Sequence, residues 1–253
     1  MKAVILNAGQ GRRLLPLTEK TPKCALRVLG QPLIEWQLQE LFACGIDKVS
    51  VVVGFGAHEV EQLLASRFDP RQVRTVYNPF YMLADNLVSC WVARHEMDED
   101  FVLLNGDTMF EAAILQRLLD TPGGPIVMAT DRKQAYDGDD MKVILDGDRL
   151  VNVGKDIPSE QADGESIGMI LFRGEGSALY QQALEQSLRQ PEALKYWYLS
   201  VIDGLAASGQ VTVSSVEGLQ WVEVDCPADL RQASNMISGW AAEQERAVNV
   251  GRA

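Results

Sequence analysis

Leu6-Asn7-Ala8-Gly9-Gln10-Gly11-Arg12-Arg13-Leu14-Leu15-Pro16-Leu17-Thr18 (LNAGQGRRLLPLT) closes the first apolar run of a 253-residue chain. The run itself, Lys2–Asn7, reads as a buried strand. Open parallel sheets bind ligands beyond the carboxyl ends of their strands, so a Gly-rich turn here is well placed for one. Two phosphate-binding patterns fail. A dinucleotide fingerprint needs a third glycine where Leu14 stands and a helix that Pro16 would break. The GxxxxGK[ST] pattern is absent. What remains is a pair of glycines that lets backbone N–H groups curl toward an anion. Arg13 follows as a permanent, fork-shaped cation. Pro16 keeps the loop extended toward Pro22-Lys23, which can return a second cation to the same place.

Working outward, Val/Ile/Leu-rich runs at Lys48–Val53, Val73–Tyr77, Phe101–Asn105 and Pro125–Thr130 read as further buried strands. Helical patterns at Pro32–Cys44, Ala57–Arg67 and Asn86–Glu96 separate the early ones. Strand alternating with helix predicts parallel strands with crossovers and a sheet covered on both faces. After Thr130 the segments Met141–Leu145, Leu150–Gly154 and Ile167–Arg173 alternate with Asp/Gly turns, predicting β-structure laid over one edge of the sheet. Helices are expected at Ser177–Arg189 and Tyr196–Ala207, a strand at Gln210–Val216, and a final helix from Pro227 to about Glu245. That helix carries Leu230, Ala233, Met236, Ile237 and Trp240 on one stripe; the tail Asn249–Ala253 is expected to fray.

The net charge of −12 argues against nucleic acid as a partner. No apolar run is long enough to cross a bilayer, and the start is too short for a signal peptide. The four cysteines, Cys24, Cys44, Cys90 and Cys226, lie far apart. They suit reduced, buried thiols in a cytoplasmic protein better than a disulfide or zinc framework.

The stretch NAGQGRRLLPLTEKTPK resembles the N-terminal signature AAGxGxRLxPLTxxxPK of nucleotidyltransferases that join a nucleoside triphosphate to a sugar phosphate or similar monophosphate. Asn7 replaces the first alanine. Gly30-Gln31-Pro32-Leu33-Ile34, Val52-Val53-Gly54, Asn105-Gly106-Asp107 and Glu223-Val224-Asp225-Cys226-Pro227-Ala228-Asp229-Leu230 extend the resemblance over nearly the whole chain. It implies one α/β domain over 1–253: a Rossmann-like, mostly parallel mixed sheet with helices on both faces, plus a small β-rich cap over the acceptor site. The nucleotide would bind the part within 1–130, and the acceptor the cap and C-terminal part within 131–253.

By the same resemblance, Gly9, Gly11 and Arg13 hold the triphosphate, with Arg12 as a candidate helper, and Lys23 pairs with phosphate near the reacting centre. Asp107 and Asp225 match the carboxylates that hold Mg²⁺, the implied cofactor; Glu223 and Asp229 read as their neighbours. The base pocket would draw on Ala8, Gly54, Asn78, Asn86 and Ser89. Asn86-x-x-Ser89 resembles the cytidylyltransferases acting on choline phosphate and similar alcohol phosphates, and it equally reads as an N-capped helix start.

From Asp131 to Glu165 there are ten acids against five bases, a locally acidic cap. A neutral sugar ring has no need of such neighbours, whereas an ammonium group does, and aromatic faces bind quaternary nitrogen. Asp140, Glu165, Tyr136 and Trp197 are the acceptor candidates, with Trp91, Tyr198 and Trp221 as further aromatics. Lys142 and Lys155 could clamp the incoming phosphate. The expectation is therefore CMP transfer from CTP to phosphocholine or a related amino-alcohol phosphate or phosphonate. The alternative is a sugar-1-phosphate or inositol-phosphate enzyme using CTP, UTP or dTTP. A nucleotide-sensing relative without catalysis would be expected to lose Arg13, Lys23, Asp107 or Asp225, and all four are present. The partners expected are the two substrates, without nucleic acid or membrane, and a homodimer is a candidate assembly.

Overall fold

In the computed structural model, which describes residues 1–250 and side chains as far as Trp240, β1 (Lys2–Asn7) is an interior strand of the main sheet. The other elements follow in chain order: β2 (Arg27–Val28), β3 (Gln31–Pro32), α1 (Leu33–Ala43), β4 (Val49–Val53), α2 (Ala57–Ala65), β5 (Val73–Tyr77), α3 (Asn86–Val92), β6 (Phe101–Asn105), β7 (Thr108–Phe110) and α4 (Ala112–Asp120). Then come β8 (Ile126–Asp131), β9 (Lys142–Asp146), β10 (Arg149–Gly154), β11 (Gly164–Phe172), α5 (Gly176–Ser187), α6 (Leu199–Ala207), β12 (Val211–Ser215), β13 (Trp221–Glu223) and α7 (Pro227–Val250).

Among the described residues nine strands form one mixed sheet in the order β5-β4-β1-β6-β11-β8-β12-β10-β9. The strands β5, β4, β1 and β6 are mutually parallel, joined by helical crossovers as the alternating pattern predicts. Period-two side-chain alternation divides the core. Ile5, Val51, Val53 and Leu104 face α1, α2 and α4. Val4, Val52, Leu103 and Met128 face α3, α5 and α6, where Phe101 and Phe172 stack with ring centroids 4.4 Å apart.

The segment Ile167–Arg173 does not overlie an edge: it belongs to β11, which runs antiparallel between β6 and β8 in the middle of the sheet. Only the β9–β10 hairpin lies at the far edge, and β9 turns back to pair with the start of β11. The helical pattern beginning at Tyr196 is shorter in fact, with a 3₁₀ turn at Pro191–Lys195 leading into α6. The helix begun at Asn86 ends at Val92, and Arg94–Glu96 is a separate 3₁₀ turn. The last helix runs past Glu245 to Val250, while the tail's final three residues lie outside the described ones. No described helix is long and apolar enough to cross a membrane.

Two smaller features decide where the chain's ends meet. The strands β7 and β13 pair antiparallel, Glu223 opposite Thr108, so the segment after β13 runs beside the turn after β6. A separate apolar cluster packs Leu14 of the first loop and Leu33 of α1 against Val222, Val224, Ala233 and Ile237. These contacts carry α7 and its preceding segment onto the N-terminal loop.

Candidate active site

At the carboxyl end of β1 the chain turns through Gly9 and Gly11 into a 3₁₀ turn at Arg12–Leu14. Gly11 has φ +71°, and a β-carbon there would lie only 3.0 Å from the Lys23 stem. Glycine is therefore required both for the turn and for the approach of Lys23. The Thr18 hydroxyl donates to the Gly11 carbonyl at 2.8 Å and ties the loop's far limb back to its start. That limb delivers Lys23, which is buried.

The Lys23 ammonium donates to Asp107 Oδ2 at 2.8 Å and to Asp225 Oδ1 at 2.5 Å. Arg13 donates to Asp225 Oδ2 at 2.5 Å and to Asp139 at 3.1 Å, and Lys155 reaches the other Asp139 oxygen at 3.1 Å. Lys155-Asp139-Arg13-Asp225-Lys23-Asp107 is thus a ladder of alternating charge that joins the first loop, the segment before β9, the hairpin edge and the C-terminal segment. Burial alone would depress the Lys23 pKa, but Asp107 and Asp225 outweigh it and raise it. Asp139 is held below its usual range, chiefly by Lys155. The Asp229 carboxylate, in the first turn of α7, accepts the N–H groups of Asp225 and Cys226 at 2.8 and 2.7 Å and so fixes the segment bearing Asp225.

Around this ladder lies a cleft of about 840 Å³, large enough for a nucleotide and a second small molecule. Ala8, Gly9, Arg13, Asn86, Ser89, Asp107 and Asp225 line it, as do Asp140, Lys155, Glu165 and Trp197. Gly11, Arg12, Lys23, Gly54 and Asn78 are not part of its lining. Asn78 is fully buried, its amide donating to Ser89 Oγ at 3.0 Å and accepting from the Phe80 N–H, so it shapes the wall from behind. Gly54 packs against the Ala8 carbonyl, where a β-carbon would come within 2.6 Å. Asn86 lines the cleft but spends its Oδ1 on the Tyr198 N–H at 2.9 Å. Arg12 is exposed and outside the cleft.

In the acceptor half, Tyr136 faces a separate shallow hollow with Ser159 and Asp163. Lys142 is buried, and its ammonium donates to the backbone carbonyls of Asp137 and Asp140 at 2.9 and 3.3 Å. It braces the loop rather than clamping a phosphate. Lys133, missed in the sequence, takes the inner position, pairing with Asp140 at 2.7 Å and Glu165 at 3.1 Å. Burial raises Glu165 to about 7, with Lys133 partly opposing. Lys155 lies 4.5 Å over the Trp197 ring. Of the further aromatics, Trp221 donates to Asp131 at 2.6 Å beside Glu165, whereas Trp91 is covered by Arg94.

The model of the MobA-like NTP transferase domain matches residues 3–198. The chain belongs to the MobA-like NTP transferase family. Relatives include a CMP-5'-(3-aminopropyl)phosphonate synthase of Streptomyces rubellomurinus, 32% identical over 97% of this chain and 40% of the relative. A bifunctional IPC transferase and DIPP synthase of Rubrobacter xylanophilus is 33% identical over 95% of this chain and 52% of the relative. The chain therefore spans about half the length, or less, of these two relatives. The inositol-1-phosphate CTP transferase from T. maritima superposes with a TM-score of 0.80, at 22% identity over 94% of both chains, which shows the shared fold.

The NTP transferase cleft also holds a donor set suited to a hard divalent cation. Among the described residues, Asp107, Glu223 and Asp225 offer carboxylate oxygens all within 4.8 Å of one another. Asp107 Oδ1 is buried without a hydrogen-bond partner among those residues, an acceptor left for something else. Glu223, read from sequence as a neighbour, belongs to that donor set as well. Desolvation and the charges of Asp107 and Asp225 push it up to about 8, with Lys23 and Arg13 opposing.

Proposed function

We propose that the cleft transfers CMP from CTP to a small phosphate- or phosphonate-bearing acceptor that also carries an ammonium group. An acceptor oxygen attacks the α-phosphorus, the bond from that phosphorus to the α–β bridging oxygen breaks, and pyrophosphate leaves. Two anions must approach one another while charge builds on the leaving group, so positioning and charge neutralisation dominate such a step. The observation that carries this reading is the convergence of Arg13 and Lys23, from the first loop, on Asp107 and Asp225, from opposite halves of the chain.

In these roles Gly9 and Gly11 shape the loop around the triphosphate, Arg13 binds the departing β- and γ-phosphates, and Lys23 faces the α-phosphate. Asp107 and Asp225, with Glu223 alongside, would hold Mg²⁺. When bound, the ion supplies positive charge to the phosphate oxygens and orients them. Ala8, Asn86 and Ser89 border the base, and Lys155 meets the acceptor's phosphate. Asp140, Glu165 and Asp131 give the acceptor half its negative character, which favours an ammonium, and similarity to a CMP-5'-(3-aminopropyl)phosphonate synthase points the same way.

A second reading, an inositol- or sugar-phosphate acceptor, is favoured by two observations. Lys133 already neutralises part of the Asp140–Glu165 pair and Lys155 already covers Trp197. Measuring pyrophosphate release with CTP, UTP, dTTP, ATP and GTP against phosphocholine, 2-aminoethylphosphonate, 3-aminopropylphosphonate, inositol-1-phosphate and glucose-1-phosphate separates the two. Turnover with CTP and a cationic acceptor is expected. Turnover confined to the neutral acceptors would establish the second reading, and none with any pair would overturn both.

A further inference from the structure

We propose that Gln37 is a positioning residue for Asp107, acting through the turn that carries it. The role rests on Asp107 holding the divalent cation, as proposed above. Gln37 lies on the buried stripe of α1 with Leu33, Ile34, Leu38 and Leu41, and it is 1% exposed. An amide in such a stripe costs stability unless it is paired. Its Nε2 donates to the Asn105 carbonyl and to the Thr108 carbonyl, each at 2.8 Å. One side chain thereby spans both ends of the turn Asn105–Thr108, on which Asp107 sits. Its Oε1 has no partner among the described residues, so the two donated bonds alone orient the amide.

The remaining turn residues are pinned as well. The Gly106 N–H donates to the Leu6 carbonyl at 3.1 Å, and a β-carbon on Gly106 would fall 1.8 Å from Asn7 Oδ1. The Asp107 carbonyl accepts the Val224 N–H at 3.0 Å, and the Thr108 hydroxyl donates to the Ile167 carbonyl at 3.1 Å. Gln37 differs from these pins because it reaches the turn from a helix on the far side and does not line the cleft. What the pinned turn holds is a carboxylate with one oxygen on Lys23 and the other buried and unpartnered. A loose turn would rotate that oxygen toward water or a donor, because leaving it unmet is costly. Gln37 keeps it aimed.

The test uses Gln37→Met, which removes both donors, and Gln37→Glu, which keeps the size. Leu41→Ala on the same helix serves as a control that loses core packing but makes no hydrogen bond to the turn. Thermal unfolding, Mn²⁺ binding by water-proton relaxation, and the Mg²⁺ dependence of pyrophosphate release are measured for each. Both Gln37 variants should bind Mn²⁺ about ten- to hundredfold more weakly and need correspondingly more Mg²⁺ for half-maximal rate. Nucleotide KM at saturating Mg²⁺ should change less than about threefold in both. Leu41→Ala should lose stability and keep Mn²⁺ affinity within about twofold. Should Gln37→Met not fold, Gln37→Glu decides. Gln37 variants that lose stability like Leu41→Ala but bind Mn²⁺ as the parent does would overturn the positioning role. Asp107→Asn separates the two levels: if it leaves Mn²⁺ binding intact, the metal assignment fails instead.

Discussion

Replacing Lys23 with Met should slow turnover and tighten divalent-metal binding at the same time. The Lys23 ammonium holds Asp107 Oδ2 at 2.8 Å and Asp225 Oδ1 at 2.5 Å, on the two carboxylates whose negative charge the proposed Mg²⁺ also draws on. A hydrogen bond to a charged group is worth about 1.5 to 3 kcal/mol net. Both carboxylate side chains are about one-fifth exposed, 23% and 21%, which calls for the low end of that range. In the parent the ammonium can shift rather than vanish, so roughly half of the two-bond sum is relieved in the variant, about 1.5 kcal/mol. That corresponds to about tenfold tighter metal binding. Water-proton relaxation with Mn²⁺ gives the affinity, and pyrophosphate release gives the rate, which should fall about 10²- to 10³-fold for a lost transition-state cation. Opposite signs are the point. A Lys23→Met protein with unchanged or weakened Mn²⁺ affinity would refute the idea that Lys23 and the ion compete for the same carboxylates.

Two further outcomes follow from the same structure. Burial raises Glu165 to about 7, so it is neutral below that pH and anionic above it; KM for a cationic acceptor should fall as pH rises through about 7, and Glu165→Gln should abolish the step. A parent profile flat from pH 5.5 to 8.5 would count against Glu165 facing an ammonium. Phe172→Ala deletes a fully buried ring stacked on Phe101 and should cost about 3 to 5 kcal/mol, lowering Tm by roughly 10 °C in a scanning calorimeter; a loss under about 3 °C would contradict the packing described.

The sequence disclosed some of this well. Lys2–Asn7 and Phe101–Asn105 are unbroken apolar runs because both faces of a central strand are buried, and that burial is written locally. Pairing is not. Ile167–Arg173 looked peripheral because Asp/Gly turns precede it, yet it enters the sheet beside β6, a contact between residues far apart in the chain. Loop geometry was equally hidden. A lysine at a strand start reads as a free cation, but the Asp137 and Asp140 carbonyls close over Lys142 and supply its partners. Lys133 then occupies the inner position that sequence could not distinguish from Lys142. Gln37 did leave a trace: it is a polar residue at a position where the helical stripe calls for an apolar one. Arg13, Lys23, Asp107 and Asp225 were legible as types in a long motif, whereas the β7–β13 pairing that joins them appears only in three dimensions.

The account stands or falls on whether the cations and carboxylates of this cleft meet one triphosphate. A crystal structure with Mg²⁺ and a CTP analogue whose α–β bridge resists cleavage tests that directly. The α-phosphate is expected beside Lys23, with the metal on Asp107 and Asp225 and the terminal phosphates on Arg13 and the Gly9–Gly11 turn. A triphosphate bound elsewhere, or one lying in the cleft with Arg13 and Lys23 turned away from it, would contradict the central claim.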